Sequence, residues 1–350
     1  MAKEPIIVTG SCGRIGTQVV KKLGEHYPIV GFELLQAIYA SSSEELIPVD
    51  LSSDESVSQA FTHIRQFYGN KIVSVIHLAA YYSFSEKHSD LYNKITVEGT
   101  KRLLKELQQF EVEQFIFTST MLVHKSTTPG NPITEQSPVE PSWDYPLSKV
   151  HTEQAIHTLR GKIPVVNLRI AGVYDDACHS IPISHQIQRI YEKKIEARLF
   201  SGNICHGSSF VHMDDLLSAI SLCVEKRKQL QEELTLLIGE DKTLSYDELQ
   251  RAISCLISGK DFTTYCVPKW FAKLGAFLKC LIAGKHKPFI RPWMIDFADD
   301  HYELDITQAK KILGWNPKHS LEETLPIMIA GLLKDPALWY KANQLQLPKK

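Results

Sequence analysis

The sequence predicts an α/β protein, a doubly wound parallel sheet followed by a smaller, mostly helical C-terminal lobe. Three observations carry that expectation. Short apolar runs alternate with helical periodicity through the first half of the 350 residues, the mark of repeated βαβ units. A glycine-rich turn, Thr9-Gly10-Ser11-Cys12-Gly13-Arg14-Ile15-Gly16, joins the first apolar run to the first periodic stretch. Beyond Arg169 the regularity loosens, and a fresh helical signal opens at Ser245.

Strands are expected at Ile6–Thr9, Ile29–Glu33, Leu46–Val49, Val73–Leu78, Gln114–Thr118 and Val165–Arg169, each too short for a helix and bounded by turn residues. Helices are expected between them near Ile15–His26, Glu55–Phe67, Tyr92–Gln109 and Pro146–Arg160, since a proline is tolerated in a first helical turn. Pro182 and the Gly202–Ser209 loop suggest excursions away from the sheet. Ser245-Tyr246-Asp247-Glu248 matches a capping box ahead of Leu249, Ile253 and Leu256. Trp270–Ala283 is apolar but interrupted by Lys273 and Lys279, and reads as a core helix in preference to one lying on a membrane surface. No run reaches the roughly 20 apolar residues of a membrane span. Lys349 and Lys350 read as a solvated tail.

Composition narrows the function classes. Lys plus Arg (39) nearly balance Asp plus Glu (40), so nothing suggests nucleic acid as a partner. The seven cysteines, at 12, 178, 205, 223, 255, 266 and 280, are odd in number and contain no C-x-x-C, which argues against a disulfide framework or a zinc site and fits a reducing cytoplasm. Met1-Ala2-Lys3-Glu4-Pro5 runs straight into the first strand, too short for a signal-sequence core. His179, His185, His206 and His212 lack ligand spacing with carboxylates, so no metal is expected. Asp214-Asp215, opening an apolar-periodic segment, reads as a helix cap.

Gly10, Gly13 and Gly16 follow a strand and open a helix, the context in which free helix N–H groups bind a pyrophosphate. The spacing is G-x-x-G-x-x-G, and Cys12, Arg14 and Ile15 within it share the expected cofactor contact. Glu33 ends the second strand where a ribose-binding acid is expected; its charge would repel a 2′-phosphate, favouring NAD over NADP, although Arg14 could serve a phosphate. Tyr145 and Lys149 stand at i and i+4 in one helical stretch, so an ammonium can favour ionisation of a phenol whose free pKa is about 10. Tyr265 and Lys269 repeat the spacing, but Pro268 between them marks a loop before a helix.

With this turn, this pair and their order, the chain resembles the extended short-chain dehydrogenase/reductase family, also called the NAD-dependent epimerase/dehydratase family, over nearly its whole length. Asp50-Leu51-Ser52 resembles the family's adenine-contacting acid segment, and His77-Leu78-Ala79-Ala80 the strand end beneath the cofactor. Phe115-Ile116-Phe117-Thr118-Ser119-Thr120 is similar to the strand that delivers the catalytic hydroxyl, by position Thr120, with Thr118 beside the cofactor. Further matches are Pro132-Ile133-Thr134-Glu135, Leu168-Arg169, Val173-Tyr174, Phe210–Asp215 and Lys310–Pro317. The resemblance implies a Rossmann dinucleotide-binding domain (residues 1–175 and 205–243), a substrate-binding lobe (176–204 and 244–350) and a homodimer formed through the helices at 92–109 and 146–160.

Departures from the family pattern shape the functional expectation. Thr96 stands where many members carry asparagine, and His124 and Lys125 replace tyrosine and glycine. Met121 and Leu122 occupy the place of the acidic pair of sugar 4,6-dehydratases, disfavouring a dehydratase. Ser208 and Ser209 stand where nucleotide-sugar enzymes place Arg-Asp, which disfavours a nucleotide sugar. The apolar second lobe, with Phe262, Val267, Trp270, Phe271, Phe277, Leu278, Phe289 and Trp293, is closer to the 3β-hydroxysteroid dehydrogenase and dihydroflavonol reductase branch, though such aromatics are more often core than pocket. The expectation is an NAD-dependent oxidoreductase acting on a secondary alcohol or ketone of a small molecule through Thr120, Tyr145 and Lys149. The alternatives are an NAD-retaining epimerase acting on a sugar or nucleotide sugar and a catalytically silent NAD-binding regulator.

Overall fold

The structure is a computed structural model that describes residues 4–38, 45–83, 87–282 and 288–348. The readings of residues 1–3, Ala283, Lys349 and Lys350 lie outside the described residues. Seven strands form one sheet: β1 (Ile6–Thr9), β2 (Ile29–Glu33), β3 (Glu45–Pro48), β4 (Ser74–His77), β5 (Phe115–Thr120), β6 (Val165–Ile170) and β7 (Glu233–Ile238). Their spatial order is β7-β6-β5-β4-β1-β2-β3, and every pairing is parallel. The doubly wound Rossmann sheet is therefore present. All but β3 and β7 read as near-continuous buried runs, as strands covered on both faces should.

Helices α1 (Arg14–Gly24), α2 (Asp54–Tyr68), α3 (Glu98–Leu107), α4 (Asp144–Leu159), α5 (Ile181–Tyr191) and α6 (Met213–Glu225) follow in chain order. Val19 and Leu23 of α1 pack with Leu216 and Ile220 of α6 in the core on one face of the sheet. Phe61 of α2, Leu103 of α3 and Ile156 of α4 belong to the core on the other. Strand order reverses between β1 and β4, so the connections leaving them diverge and open a crevice beyond the carboxyl ends of both.

Further helices are α7 (Tyr246–Ser258), α8 (Lys269–Ile282), α9 (Thr307–Leu313), α10 (Leu321–Lys334) and α11 (Pro336–Ala342). A third core joins Ile183 and Ile187 of α5 to Leu249 and Ile253 of α7, Met328 of α10 and Trp339 of α11. The capping box of α7 is formed in both directions, by the Ser245 hydroxyl on Glu248 N–H and the Glu248 carboxylate on Ser245 N–H. Pro268 separates a short strand, Tyr265–Val267, from α8, as expected for the loop before a helix.

Three expectations are corrected. β7 was absent from the expected strands, although Leu234-Thr235-Leu236-Leu237-Ile238 is a short apolar run; it completes the sheet beside β6. The stretch at 92–109 is not one α-helix, because Tyr92–Val97 forms a π-helical segment ahead of α3. The core reading of the helix from Trp270 fails, since α8 buries none of its residues. Of the aromatics in this lobe Phe262 is core, while Trp270, Phe271 and Phe277 are exposed.

Candidate active site

At the end of β1 the chain turns through Gly10 with φ +69, a left-handed conformation costly for any residue with a Cβ. A Cβ on Gly10 would lie 3.0 Å from Ala79 N, and one on Gly16 would lie 2.1 Å from the Gly10 carbonyl oxygen. These two positions demand glycine because turn, helix and the Leu78-Ala79-Ala80 strand end meet backbone to backbone. Gly13 is the N-cap of α1 and offers no side chain, so the first N–H groups of the helix stay open to an anion. The Ser11 hydroxyl of the turn is buried against Gly31 of β2 without a hydrogen-bond partner. A cradle that a Cβ would fill, with an uncapped helix N-terminus opening onto it, fits a dinucleotide pyrophosphate.

Glu33 projects from the end of β2 into the same crevice. Its carboxylate accepts from Cys12 N–H (3.0 Å) and Leu34 N–H (2.9 Å), which places the acid beside the glycine turn. Asp50, exposed past the end of β3, accepts from Ser52 N–H (2.8 Å) and opens a small turn, while Leu51 is buried. Arg14 turns away from Glu33: its guanidinium donates to the His179 carbonyl (2.8 Å) and straps α1 to the segment before α5. Ile15 packs against the sheet core.

Beyond β4 and β5 the polar chemistry gathers. His77, the last residue of β4, is buried between the hydroxyls of Thr9 (2.7 Å) and Thr100 (2.8 Å). Burial, with the charge of Lys149, pushes its pKa down to about 3, so it is a neutral strut between β1 and α3. Thr118 donates to the His77 carbonyl (3.2 Å). Thr96 accepts from Tyr81 N–H (3.0 Å), so at the position where an amide is common this hydroxyl holds the loop after Ala80.

Tyr145 and Lys149 share the face of α4 turned toward β5. The helix opens at Asp144, and Trp143, its N-cap, provides no side-chain cap. Lys149 is 3 % exposed, its ammonium donates to the Thr118 carbonyl (2.8 Å), and it stands 4.7 Å from the Phe117 ring and 5.9 Å from the Tyr145 ring centre. Burial lowers its pKa to about 7, and Glu153 one turn along α4 opposes that shift. The Thr120 hydroxyl accepts from Leu122 N–H (3.3 Å) and neighbours the Tyr145 phenol. Burial pushes that phenol up to about 12, and the Thr120 contact opposes the rise. The phenol and the hydroxyl are thus neighbours, while the ammonium is held by the Thr118 backbone carbonyl.

Two features that the sequence reading missed frame these groups. Behind them Glu153 accepts from Arg169 through Nε (3.1 Å) and Nη2 (2.6 Å) and from the Ser119 hydroxyl (2.5 Å), and Arg169 reaches His124 (3.1 Å). The i+8 spacing from Tyr145 was its only signal. In front, aromatic rings run outward from Tyr145: Tyr82 at 4.8 Å, Trp143 at 5.4 Å, then Trp293 at 5.3 Å from Trp143 and Phe297 at 6.3 Å from Trp293. Trp293 and Phe297 come from the second lobe, so no local pattern could have paired them with Tyr145. Met121 and Leu122 form the turn after Thr120 and add no acid there.

Other expected positions serve the scaffold. Asp215 accepts from the backbone N–H groups of Lys318 and His319 (both 2.9 Å), so it anchors the segment before α10 and does not cap α6, whose N-cap is His212. Trp315 donates to the Asp215 carbonyl (3.0 Å). His212, Asp214 and His319 come within ligand reach of one another, a grouping the sequence reading did not foresee because His319 is distant in the chain. The two rings stack at 4.1 Å, and each Nδ1 is already engaged, that of His212 by Asp214 N–H and that of His319 by Asp215.

Comparison with known proteins agrees with the fold. Over 331 residues the chain is 26 % identical to UDP-glucose 4-epimerase of Vibrio cholerae, covering 91 % of this chain and 93 % of the relative. It is 25 % identical over 355 residues to mouse 3 beta-hydroxysteroid dehydrogenase type 7, covering 91 % and 92 %. In fold it is similar to Thermotoga maritima UDP-glucose 4-epimerase with UDP-glucose, with a TM-score of 0.71 at 23 % identity over 94 % of this chain and 99 % of that one. Thermus thermophilus UDP-glucose 4-epimerase in complex with NAD gives a TM-score of 0.69 at 19 % identity, covering 95 % and 99 %. The family described as "NAD dependent epimerase/dehydratase family" matches residues 6–239, which hold the glycine turn, β1 to β7 and the Tyr145 helix; the chain belongs to that family.

Proposed function

We propose that this protein is an NAD-dependent oxidoreductase that interconverts a secondary alcohol and a ketone on an apolar small molecule. The observation that carries the reading is the gathering of Thr120, Tyr145 and Lys149 around the carboxyl end of β5, beside the glycine cradle and under a row of aromatic rings. Gly10, Cys12, Gly13, Arg14, Ile15 and Gly16 would hold the pyrophosphate, Glu33 the adenosine ribose, and Asp50 and Leu51 the adenine. Leu78, Ala79, Ala80 and Thr118 would lie beneath the cofactor, and Lys149 at its nicotinamide ribose. NAD supplies a hydride acceptor in oxidation and a donor in reduction.

The remaining chemistry belongs to the protein. In oxidation the Tyr145 oxygen takes the substrate hydroxyl proton as the carbinol C–H leaves as hydride and the C=O bond forms; in reduction the proton returns. Thr120 aligns the substrate oxygen. Lys149, with a pKa of about 7, makes the phenolate easier to reach whenever it is charged. Substrate binding against Trp143 and Trp293 excludes water from these groups. Ser208 and Ser209 at the usual Arg-Asp place support an apolar substrate over a diphosphate, as does the aromatic row.

Tyr145→Phe is expected to lower turnover on an alcohol or ketone substrate by about 10²–10⁴-fold while NAD affinity stays within a few-fold, read by steady-state rates and fluorescence titration. Unchanged turnover removes the mechanism. A second reading, an epimerase that keeps its NAD and returns the hydride to the other face, is supported by the 4-epimerase relative aligned over 91 % of the chain. Protein that purifies with retained NAD and never accumulates NADH favours it; stoichiometric NADH favours the oxidoreductase. A silent NAD-binding regulator would need no proton relay. The two-part division at 176–204 and 244–350, and a homodimer through α3 and α4, belong to the same proposal.

A further inference from the structure

α8 is built the wrong way round for a helix on a water-soluble surface. Its large apolar residues fall at i, i+1, i+4, i+7, i+8 and i+11, as Trp270, Phe271, Leu274, Phe277, Leu278 and Leu281, which is one continuous stripe along a helix face. That stripe faces outward: every one of the six is about half exposed or more, Trp270 is 69 % exposed, and Ile282 at the end reaches 88 %. The charged positions face the body instead. Lys269 pairs with Asp299 (2.5 Å), Lys273 with Asp296 (2.5 Å) and Lys279 with Glu196, so ion pairs moor the helix along its length. Beside it Tyr265 and Ile195 are also exposed and extend the patch. Isolated exposed apolar residues need no explanation, but a contiguous stripe of this size marks a surface that is covered in use.

We infer that α8 lies in the interfacial layer of an anionic phospholipid membrane, with its apolar stripe among the acyl chains. At 14 residues the helix is about 21 Å long, too short to span a bilayer and suited to lying in its plane. Trp270 at its amino end has the amphipathic ring that settles at the headgroup level. Charge identifies the partner. Among the described residues from 260 to 291 there are five Lys or Arg and one acid, Asp261, which is itself paired with Arg251, so the ion pairs to Asp299, Asp296 and Glu196 leave Lys260 and Arg291 as excess positive charge in a chain of net charge -1. Apolar burial combined with attraction to anionic lipid is the pattern of a helix that binds in the membrane plane.

The stripe also has a place in the fold that gives the contact a use. α8 packs against the turn at Pro292–Phe297, and that turn carries Trp293 and Phe297 of the aromatic row leading to Tyr145. A membrane under α8 would therefore lie at the outer end of an apolar path to the reactive groups. An apolar substrate dissolved in the bilayer could enter without crossing water.

The test uses the full chain without substrate or cofactor, so its outcome is independent of the catalytic reading. Sedimentation with phosphatidylcholine vesicles containing about one-third phosphatidylserine should pellet the wild-type protein, with at least 10-fold weaker binding to pure phosphatidylcholine or in high salt. A triple variant, Trp270→Ser, Phe277→Ser and Leu281→Ser, should lose binding at least 10-fold while its circular dichroism and thermal midpoint stay at wild-type values, because the changed side chains bury little in the protein. In the wild type Trp270 fluorescence should shift to the blue on adding the anionic vesicles, against Trp270→Phe as control. Wild-type protein that stays in the supernatant with every vesicle overturns the inference. So does equal binding by the triple variant, or a wild-type dimer that the triple variant makes monomeric with no vesicle binding, which would assign the stripe to a second copy of the chain.

Discussion

In the proposed reading Glu33 is the residue on which cofactor choice would turn. Its carboxylate sits on Cys12 N–H at the end of β2, while Arg14, the one cation in the turn, is committed to the His179 carbonyl. A 2′-phosphate arriving there would meet a negative charge with no guanidinium turned to receive it. Glu33→Ser is therefore expected to shift the NAD over NADP ratio of kcat/KM at least 10-fold toward NADP, about 1.4 kcal/mol; an unmoved ratio means that another group discriminates. Glu33 was legible in the sequence because strand length and glycine spacing set its place. The engagement of Arg14 was not, since its partner lies 165 residues away.

At the scale of elements, the turn between β1 and α1 shows how backbone proximity constrains sequence. A methyl group on Gly16 would stand 2.1 Å from the Gly10 carbonyl, a backbone atom that cannot move without unseating the turn. Gly16→Ala should weaken NAD binding at least 100-fold and lower the thermal midpoint. Gly275→Ala in α8, where an added Cβ meets nothing within 4 Å, should hold or raise the midpoint, by up to about 1 kcal/mol of helix propensity. Differential scanning fluorimetry with NAD titration reads both. Element identity was largely legible from apolar run length, with boundaries displaced by one or two residues. The π-helical segment at Tyr92–Val97 was not, because one extra residue in a turn leaves the apolar period almost unchanged over six positions.

For the whole molecule, buried neutral histidines set the response to acid. His77 and His124 are both buried, with pKa values pushed down to about 3 and about 4, in each case by burial first and then by the neighbouring Lys149 or Arg169 charge. Unfolded, each titrates at its ordinary value near 6.5. As pH falls from 6.5 toward 4 the unfolded chain takes up protons that the native state refuses, so stability drops through that window, at up to about 2.7 kcal/mol per pH unit for the two together. Lys149, lowered from 10.5 to about 7, adds the same sign at higher pH: between 7 and 10.5 the unfolded chain binds the extra proton, and stability rises with pH. Urea midpoints measured from pH 7.5 to 4.5 should fall steadily, and His124→Gln should flatten the slope; a midpoint unchanged down to pH 5 would contradict the assignment.

Patterns of near neighbours were readable from the chain alone: the βαβ repeat, the glycine turn, the i,i+4 pair on α4 and the capping box at Ser245. Each depends on residues close enough in sequence for helix or strand geometry to fix their relation. The tertiary structure decided everything that joins distant segments, including the Glu153–Arg169 pair behind Lys149, the row from Tyr145 to Phe297, and the histidine stack at His212 and His319. It also decided which side of α8 meets the body. Periodicity reports that a stripe exists, and only the positions of Asp296, Asp299 and Glu196 determine that the lysines turn inward and the apolar face turns out.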